Sequence, residues 1–229
     1  MMNWVRDKIW GWPGGLAWKI SSVFIMGSIK KKYEFFISLM QPKPDDRILD
    51  VGVGSHVFLG TNFLEQWYKY PENIIALACG KAEEYDNFPQ DFPKVKLIFG
   101  DGRAIPFPDD YFDIVFCNAV VEHAGKAEDQ KKLIRETIRV GKKAFITTPN
   151  FWFPMDTHTL LPFVHYLPIR ARFWVYKIFG KEYFADINRL NLLTVKEFLS
   201  FFPEETKVTL IKQRFLGLVS GFIAIANKQ

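Results

Sequence analysis

The sequence predicts an α/β protein built on a doubly wound, mostly parallel sheet of seven strands. Three observations carry that prediction. Five short apolar runs lie in the first two thirds of the chain, each running into a glycine or a polar residue. Segments of helical period stand between them. Two further apolar runs close the chain. Short apolar strands alternating with helices mean βαβ units, and βαβ units make parallel sheets.

The elements follow in order. Residues 28–41 place Ile29, Tyr33, Phe36, Ile37 and Met40 at helical spacing, and Pro42 and Pro44 end that helix. Arg47–Gly52 is an apolar run closed by glycine, the pattern of a buried parallel strand. A helix is expected over 60–70, then strands at Ile74–Ala78, Val95–Phe99 and Asp113–Asn118. Glu128–Val140 is helical, with Leu133, Ile134, Thr137 and Ile138 on one side. Lys143–Thr148 is the fifth strand.

Residues 151–190 then break the alternation with an insertion rich in Phe, Trp, His, Pro and Arg. Inside it, Ile169–Phe179 reads as a helix that clusters Ile169, Phe173, Trp174 and Tyr176. Arg170, Arg172 and Lys177 are left for solvent or a membrane surface. A short helix at Val195–Phe202 precedes the closing strands Lys207–Gln213 and Phe222–Ala226. The chain therefore divides into a helical cap (1–41), a core (42–150), the insertion (151–190) and a closing segment (191–229).

Charge follows the same division. The 229 residues carry a net charge of +5. Residues 1–40 hold six basic and two acidic residues, residues 41–150 hold 14 and 17, and residues 151–229 hold 10 and six. Those counts make the flanks +4 each and the core −3. The flanks also hold 24 of the 38 aromatic residues. A nucleic-acid binder displays one coherent basic domain, so this partition argues against a nucleic-acid partner.

Two cysteines, Cys79 and Cys117, make no disulfide framework and point to a reducing, cytoplasmic compartment. Both read as small buried residues. From Ile9 to Ile29 only Lys19 is charged, which raises the question of a membrane span. Pro13, Gly14 and Gly15 interrupt that stretch, and Trp4, Trp10, Trp12 and Trp18 belong at an interface. A lid helix is preferred to a surface-lying helix, and that to a span. No signal peptide is expected.

Ligands of an open α/β sheet sit beyond the carboxyl ends of its strands. Three such ends carry suggestive residues. The first strand ends Asp50-Val51-Gly52-Val53-Gly54-Ser55, the third runs into Gly100-Asp101-Gly102, and the fourth ends Asn118-Ala119-Val120-Val121-Glu122-His123. One glycine turn alone is also what an ordinary strand-to-helix turn looks like. The ordered set resembles the class I S-adenosylmethionine-dependent methyltransferases over roughly residues 35–150, in the subgroup of small-molecule and ubiquinone-type enzymes.

The resemblance implies a Rossmann-like sheet with its last strand antiparallel, and S-adenosylmethionine as cofactor. Asp50, Gly52, Gly54 and Ser55 would hold its methionine portion. Asp101 and Gly102 would meet the adenine, Asn118 and Ala119 would lie near the sulfonium, and Cys79 and His123 would join the lining. The cofactor carries an ammonium and a sulfonium but no phosphate, so acidic strand ends suit it. The chain departs from the pattern twice. His56 stands where another glycine is usual, and Ala78 where an acid usually holds the ribose. Glu83 or Glu84 is a candidate replacement. These departures also motivate a rival reading, a cofactor-binding scaffold without activity, and the net charge motivates an RNA methyltransferase as a third.

Methyl transfer needs mainly alignment, with a base where the acceptor is a hydroxyl or an acid. Asp156 and His158, just past the fifth strand, are the candidate catalytic residues, with His158 a general base or acceptor contact. The alternative makes His158 and His165 packing residues. The spacing of Asp156, His158 and His165 matches no metal signature, so no metal is expected. The apolar flanks point to a small apolar, lipid-linked or sugar acceptor, methylated at oxygen, with peripheral membrane contact.

Overall fold

The structure, a computed structural model, describes residues 16–55 and 61–228. Most of the tryptophan-rich start (Trp4, Trp10, Trp12), the Pro13-Gly14-Gly15 break, His56 and Gly60 lie outside the described residues. Helix α1 spans Leu16–Phe35 and continues as a wider π-turn over Phe36–Met40. It starts well ahead of the expected Ser28, because the isolated Gly27 costs a helix only about 1 kcal/mol. Gln41 stops it in the left-handed region (φ 47°), with its N–H on the Ile37 carbonyl at 3.1 Å, and Pro42 follows.

Seven strands form one sheet: β1 (Ile48–Val51), β2 (Ile74–Ala78), β3 (Lys96–Phe99), β4 (Phe112–Asn118), β5 (Gly141–Pro149), β6 (Thr206–Phe215) and β7 (Leu218–Lys228). Their order is β3-β2-β1-β4-β5-β7-β6. The first five are parallel, and β7 lies antiparallel between β5 and β6. Local geometry dictates that reversal. Leu216 and Gly217, at φ 48° and 82°, form a two-residue turn, and such a turn can only join antiparallel neighbours.

Alternation along the strands gives the sheet two apolar faces. Leu49, Val51, Leu77 and Val115 face one core layer, and Ile48, Ala76, Ile114 and Phe116 face the other. Helix α4 (Ala127–Val140) covers the first layer with Leu133, Ile134 and Ile138, the side its spacing predicts. The fully buried Phe36 seals the second. It meets Phe116 and Phe145 edge-on at ring separations of 5.1 and 5.6 Å. Arg139, at the end of α4, binds the Ile105 and Phe107 carbonyls at 2.9 Å each and pairs with Asp109, fixing the connection into β4.

The helix after β1, α2, covers only Phe63–Trp67 of the expected 60–70, and a short helix that the sequence reading did not include, α3 (Phe88–Asp91), follows β2. In the insertion, α5 spans Ile169–Ile178. It buries Tyr176 but leaves Ile169 and Trp174 exposed and half-buries Arg172. Of the expected cluster, Tyr176 is buried and Phe173 half-buried, while Ile169 and Trp174 face outward, because the helix turns its Tyr176 face inward. The last helix, α6 (Val195–Ser200), begins at a reciprocal Thr194–Glu197 cap and buries Phe198. Among the described residues no helix is long and apolar enough to cross a membrane.

Phe36 is the main anchor of α1 on the sheet. Phe36→Ala should lower unfolding stability by about 3–5 kcal/mol in urea titration. A loss below about 1 kcal/mol would show that α1 is not seated there.

Candidate active site

The carboxyl end of β1 turns on Gly52. Its φ is +86°, and a Cβ there would stand 2.5 Å from Val120 Cγ2, so only glycine fits. Two residues on, Gly54 and Asn62 clamp each other. The Gly54 N–H donates to Asn62 Oδ1, and Asn62 Nδ2 donates to the Gly54 carbonyl, both at 2.8 Å. Beyond this turn lies a cavity of about 210 Å³, lined by Asp50, Gly52, Gly54, Asn62, Asn118 and Ala119 among others. Five of those six are sequence-predicted cofactor residues. Asn62 is not, although an asparagine before a helical run is a recognised start signal.

The acids define the cavity's chemistry. Asp50 is buried in its wall, and Glu65, from α2, is buried beside it, its carboxyl in hydrogen-bond contact with that of Asp50 and with no other partner among the described residues. Burial pushes the Asp50 carboxyl well up, and the Glu65 charge pushes it further. Burial raises Glu65 too. Two buried carboxyl groups that lack a counter-cation fit a ligand bearing an ammonium, as S-adenosylmethionine does. Glu65 was not legible in sequence, where it sits among polar helix residues.

The other predicted cofactor residues stand near this cavity without lining it. Ser55 is half-buried. Cys79 is exposed, contrary to the buried reading, because the chain leaves the sheet at Ala78, whereas Cys117 inside β4 is buried. Asp101 holds Arg103 through both oxygens (2.8–3.1 Å), which keeps its carboxyl below the usual range. Gly102 lies against Leu133. At the end of β2, where Ala78 replaces the expected acid, the Glu84 carboxylate lies over Gly80.

A second cavity, of about 440 Å³, shares Ala119 with the first. Its wall is mainly apolar, with Ile29 from α1, Phe153 and Leu160 from the insertion, and Phe215 from β6. Residues of α1 and of the insertion thus line one cavity. Lys32 joins cap to core: its ammonium donates to Asn118 Oδ1 at 3.0 Å, and Thr147 Oγ1 donates to the same oxygen at 2.8 Å. Burial pulls the Lys32 pKa down. In sequence Lys32 is one of three consecutive lysines, and nothing local marks it as the one that turns inward.

At the wall of this cavity stands His158. Asp156 Oδ1 receives its backbone N–H at 3.0 Å and faces its Nδ1 at 3.1 Å. Thr159 Oγ1 donates to the other Asp156 oxygen at 2.7 Å. Burial works against ionisation, but the His158 and Thr159 hydrogen bonds prevail and hold the Asp156 carboxyl at about 2. The same carboxylate raises His158 against the burial of the ring. His158 Nε2 lies 2.9 Å from His123 Nε2 and 3.7 Å from Glu122 Oε1.

His123 therefore belongs to this cluster and not to the cofactor cavity lining. His165 stays apart. It is buried against Phe151 and Tyr166 with its Nε2 on the Phe151 carbonyl at 3.0 Å, which is the packing role. The residues that converge are Glu122, His123 and His158, not Asp156, His158 and His165.

The buried acid pair makes a stability prediction. Its raised native pKa values mean that the folded chain holds protons the unfolded chain releases, so stability falls as pH rises above the unfolded carboxylate range. Glu65→Gln should therefore raise stability at pH 8 by about 1–2 kcal/mol, with the gain vanishing near pH 4. Thermal melts across that range measure it, and a gain that does not depend on pH would contradict the account.

Comparison with known proteins agrees with this geometry. A family model described as a methyltransferase domain matches residues 49–144. YcgJ of Bacillus subtilis strain 168, an uncharacterized methyltransferase, is 30% identical over 112 residues. That match spans 47% of this chain and 41% of the relative's length. The solved structure of YcgJ superposes at a TM-score of 0.54, with 17% identity, over 87% of this chain and 99% of that one. A Pyrococcus horikoshii protein gives a TM-score of 0.60 at 15% identity, over 89% of this chain and 90% of its own. The geranyl diphosphate C-methyltransferase of Streptomyces coelicolor, solved with Mg2+, geranyl diphosphate and S-adenosyl-L-homocysteine, gives 0.58 at 11% identity, over 96% and 87%. Over residues 49–144 the chain is thus similar to a methyltransferase domain, and its sheet has the fold of these solved structures.

Proposed function

We propose that the chain transfers a methyl group from S-adenosylmethionine to the oxygen of a small apolar, lipid-linked or sugar acceptor held in the larger cavity. The observation that carries this reading is the junction at Ala119. There an acidic cavity suited to a cationic cofactor opens beside an apolar one, which α1 and the insertion help to wall.

Bound S-adenosylmethionine supplies a sulfonium methyl: an acceptor lone pair forms the new bond to carbon while the carbon–sulfur pair returns to sulfur. The protein's work is positioning. Asp50 and Glu65 take the ammonium, and Gly52 lets the ligand approach the backbone. Asn118, tethered by Lys32 and Thr147, and Ala119 flank the reacting centre. Cys79, Asp101 and Gly102 stand at neighbouring strand ends, on the side suited to the adenosine, and Ser55 follows the β1 turn on the methionine side. His158, oriented by Asp156, faces the acceptor's polar end and handles its proton.

The insertion also exposes Trp152, Phe163 and Trp174, beside the exposed Arg170. An apolar surface with an adjacent cation suits peripheral contact with a membrane on its cytoplasmic side, from which a lipid-linked acceptor would be taken. The core's net negative charge speaks against a nucleic-acid acceptor.

Calorimetry should show S-adenosylmethionine or S-adenosylhomocysteine binding with Kd in the micromolar range or tighter. Asp50→Ala and Asp101→Ala should each weaken it by about tenfold or more, as expected for loss of a charge-assisted contact. No heat and no thermal shift with either ligand would contradict the function. Unchanged affinity in both variants would contradict the assigned pocket.

A further inference from the structure

We propose that Glu122, His123 and His158 bind one divalent metal ion of the zinc type at the wall of the larger cavity. This goes beyond the methyl-transfer reading and does not depend on it.

The case begins with the two imidazoles. His123 Nδ1 lies 2.6 Å from the Arg189 carbonyl, which can only accept, so Nδ1 carries the proton and Nε2 presents a lone pair. His158 Nδ1 lies 3.1 Å from the Asp156 carboxylate, so its Nε2 presents a lone pair too. These lone pairs face each other at 2.9 Å. They repel unless a cation stands between them, and that cation is either a proton or a metal.

Glu122 decides between the two. Its side chain is fully buried. Thr148 Oγ1 satisfies Oε2 at 3.1 Å, but among the described residues Oε1 accepts no hydrogen bond and lies 3.7 Å from His158 Nε2. A shared proton would leave that buried oxygen with an ion pair at 3.7 Å to a charged His158 but without a hydrogen bond. One metal ion serves all three donors.

Two histidines and a carboxylate are a zinc-type donor set. Zinc–nitrogen bonds of ~2.0–2.1 Å put two tetrahedral ligand atoms ~3.3 Å apart. Two of the three donor separations, 2.9 and 3.7 Å, bracket that value and all lie within 4.8 Å, so closing on one ion needs side-chain shifts on the order of 1 Å.

The surroundings already hold the ligands in place. Asp156 and the Arg189 carbonyl fix both rings, and Thr148 fixes the carboxylate, the outer-shell arrangement metal sites require. The donors come from two places in the chain, the turn after β4 and the insertion, so a bound ion would also tie the cap to the core. His158 lines the larger cavity, which leaves the fourth position open toward it. An ion there would meet the acceptor's oxygen as a Lewis acid, in place of the bare His158 ring.

Metal-stripped full-length protein should be titrated with Zn2+ alone by calorimetry. The expected result is one equivalent bound with Kd of about 1 µM or tighter. Glu122→Gln and His123→Asn should each weaken binding by about tenfold or more, while His165→Gln, at a buried histidine outside the cluster, leaves it unchanged. Cooperative melting of each variant shows that it is folded. With Co2+ in place of Zn2+, tetrahedral visible absorption should appear in the parent and disappear in His158→Ala. No binding by the parent, or equal binding by Glu122→Gln and His123→Asn, would mean that the cluster shares a proton only and would overturn the proposal. Neither S-adenosylhomocysteine binding nor turnover is a readout, so failure of the methyl-transfer reading leaves this test intact.

Discussion

Two carboxyl groups buried together at the end of β1 set the terms for the rest of the structure. Asp50 and Glu65 lie inside, and among the described residues Glu65 has only the Asp50 carboxyl as a partner. A folded chain accepts such an arrangement only where other contacts offset it. Here the offset comes from two apolar layers that sandwich the sheet, with Phe36 sealing one and α4 the other. The fold thus keeps an electrostatic demand in place, one that a cationic ligand would meet. Stability and binding pull against each other at this pair, as they commonly do at functional sites.

The cap translates that demand into geometry. Lys32 reaches down from α1 to Asn118, and Thr147 of β5 meets the same oxygen, so cap, β4 and β5 share one polar joint. The joint lies next to Ala119, where the two cavities meet. Ala119 itself takes a left-handed conformation, φ 55°, uncommon for a residue with a Cβ. On the far side, Asp156 and His158 position a ring whose other nitrogen faces His123 and Glu122. Acid, apolar wall and imidazole cluster are therefore lined up along the carboxyl edge of one sheet.

What could be read from the sequence divides along physical lines. The strands were legible because burial on both faces makes them continuous apolar runs. Ile74–Ala78 is found as expected, and the others differ by a few residues at their ends. Asp50, Gly52, Gly54, Asn118 and Ala119 were legible because strand ends fix their position, and they do line one cavity. The Asp156–His158 contact was legible because it spans two residues. Glu65, Asn62, Lys32 and Glu122 were not, because their partners are set by tertiary packing. Glu122, for example, meets His158 only once the insertion folds back over β4. The short α2 and the inward face of α5 were hidden for the same reason: packing overrides local period.

The central claim is that the cavity at Asp50 delivers a methyl group to the cavity beyond Ala119. The most direct measurement is a crystal structure of the protein with S-adenosylhomocysteine. The account predicts the ligand's amino group at Asp50 and Glu65, with its sulfur at Ala119 facing the larger cavity. A ligand bound elsewhere, or with its sulfur turned away from that cavity, would contradict it.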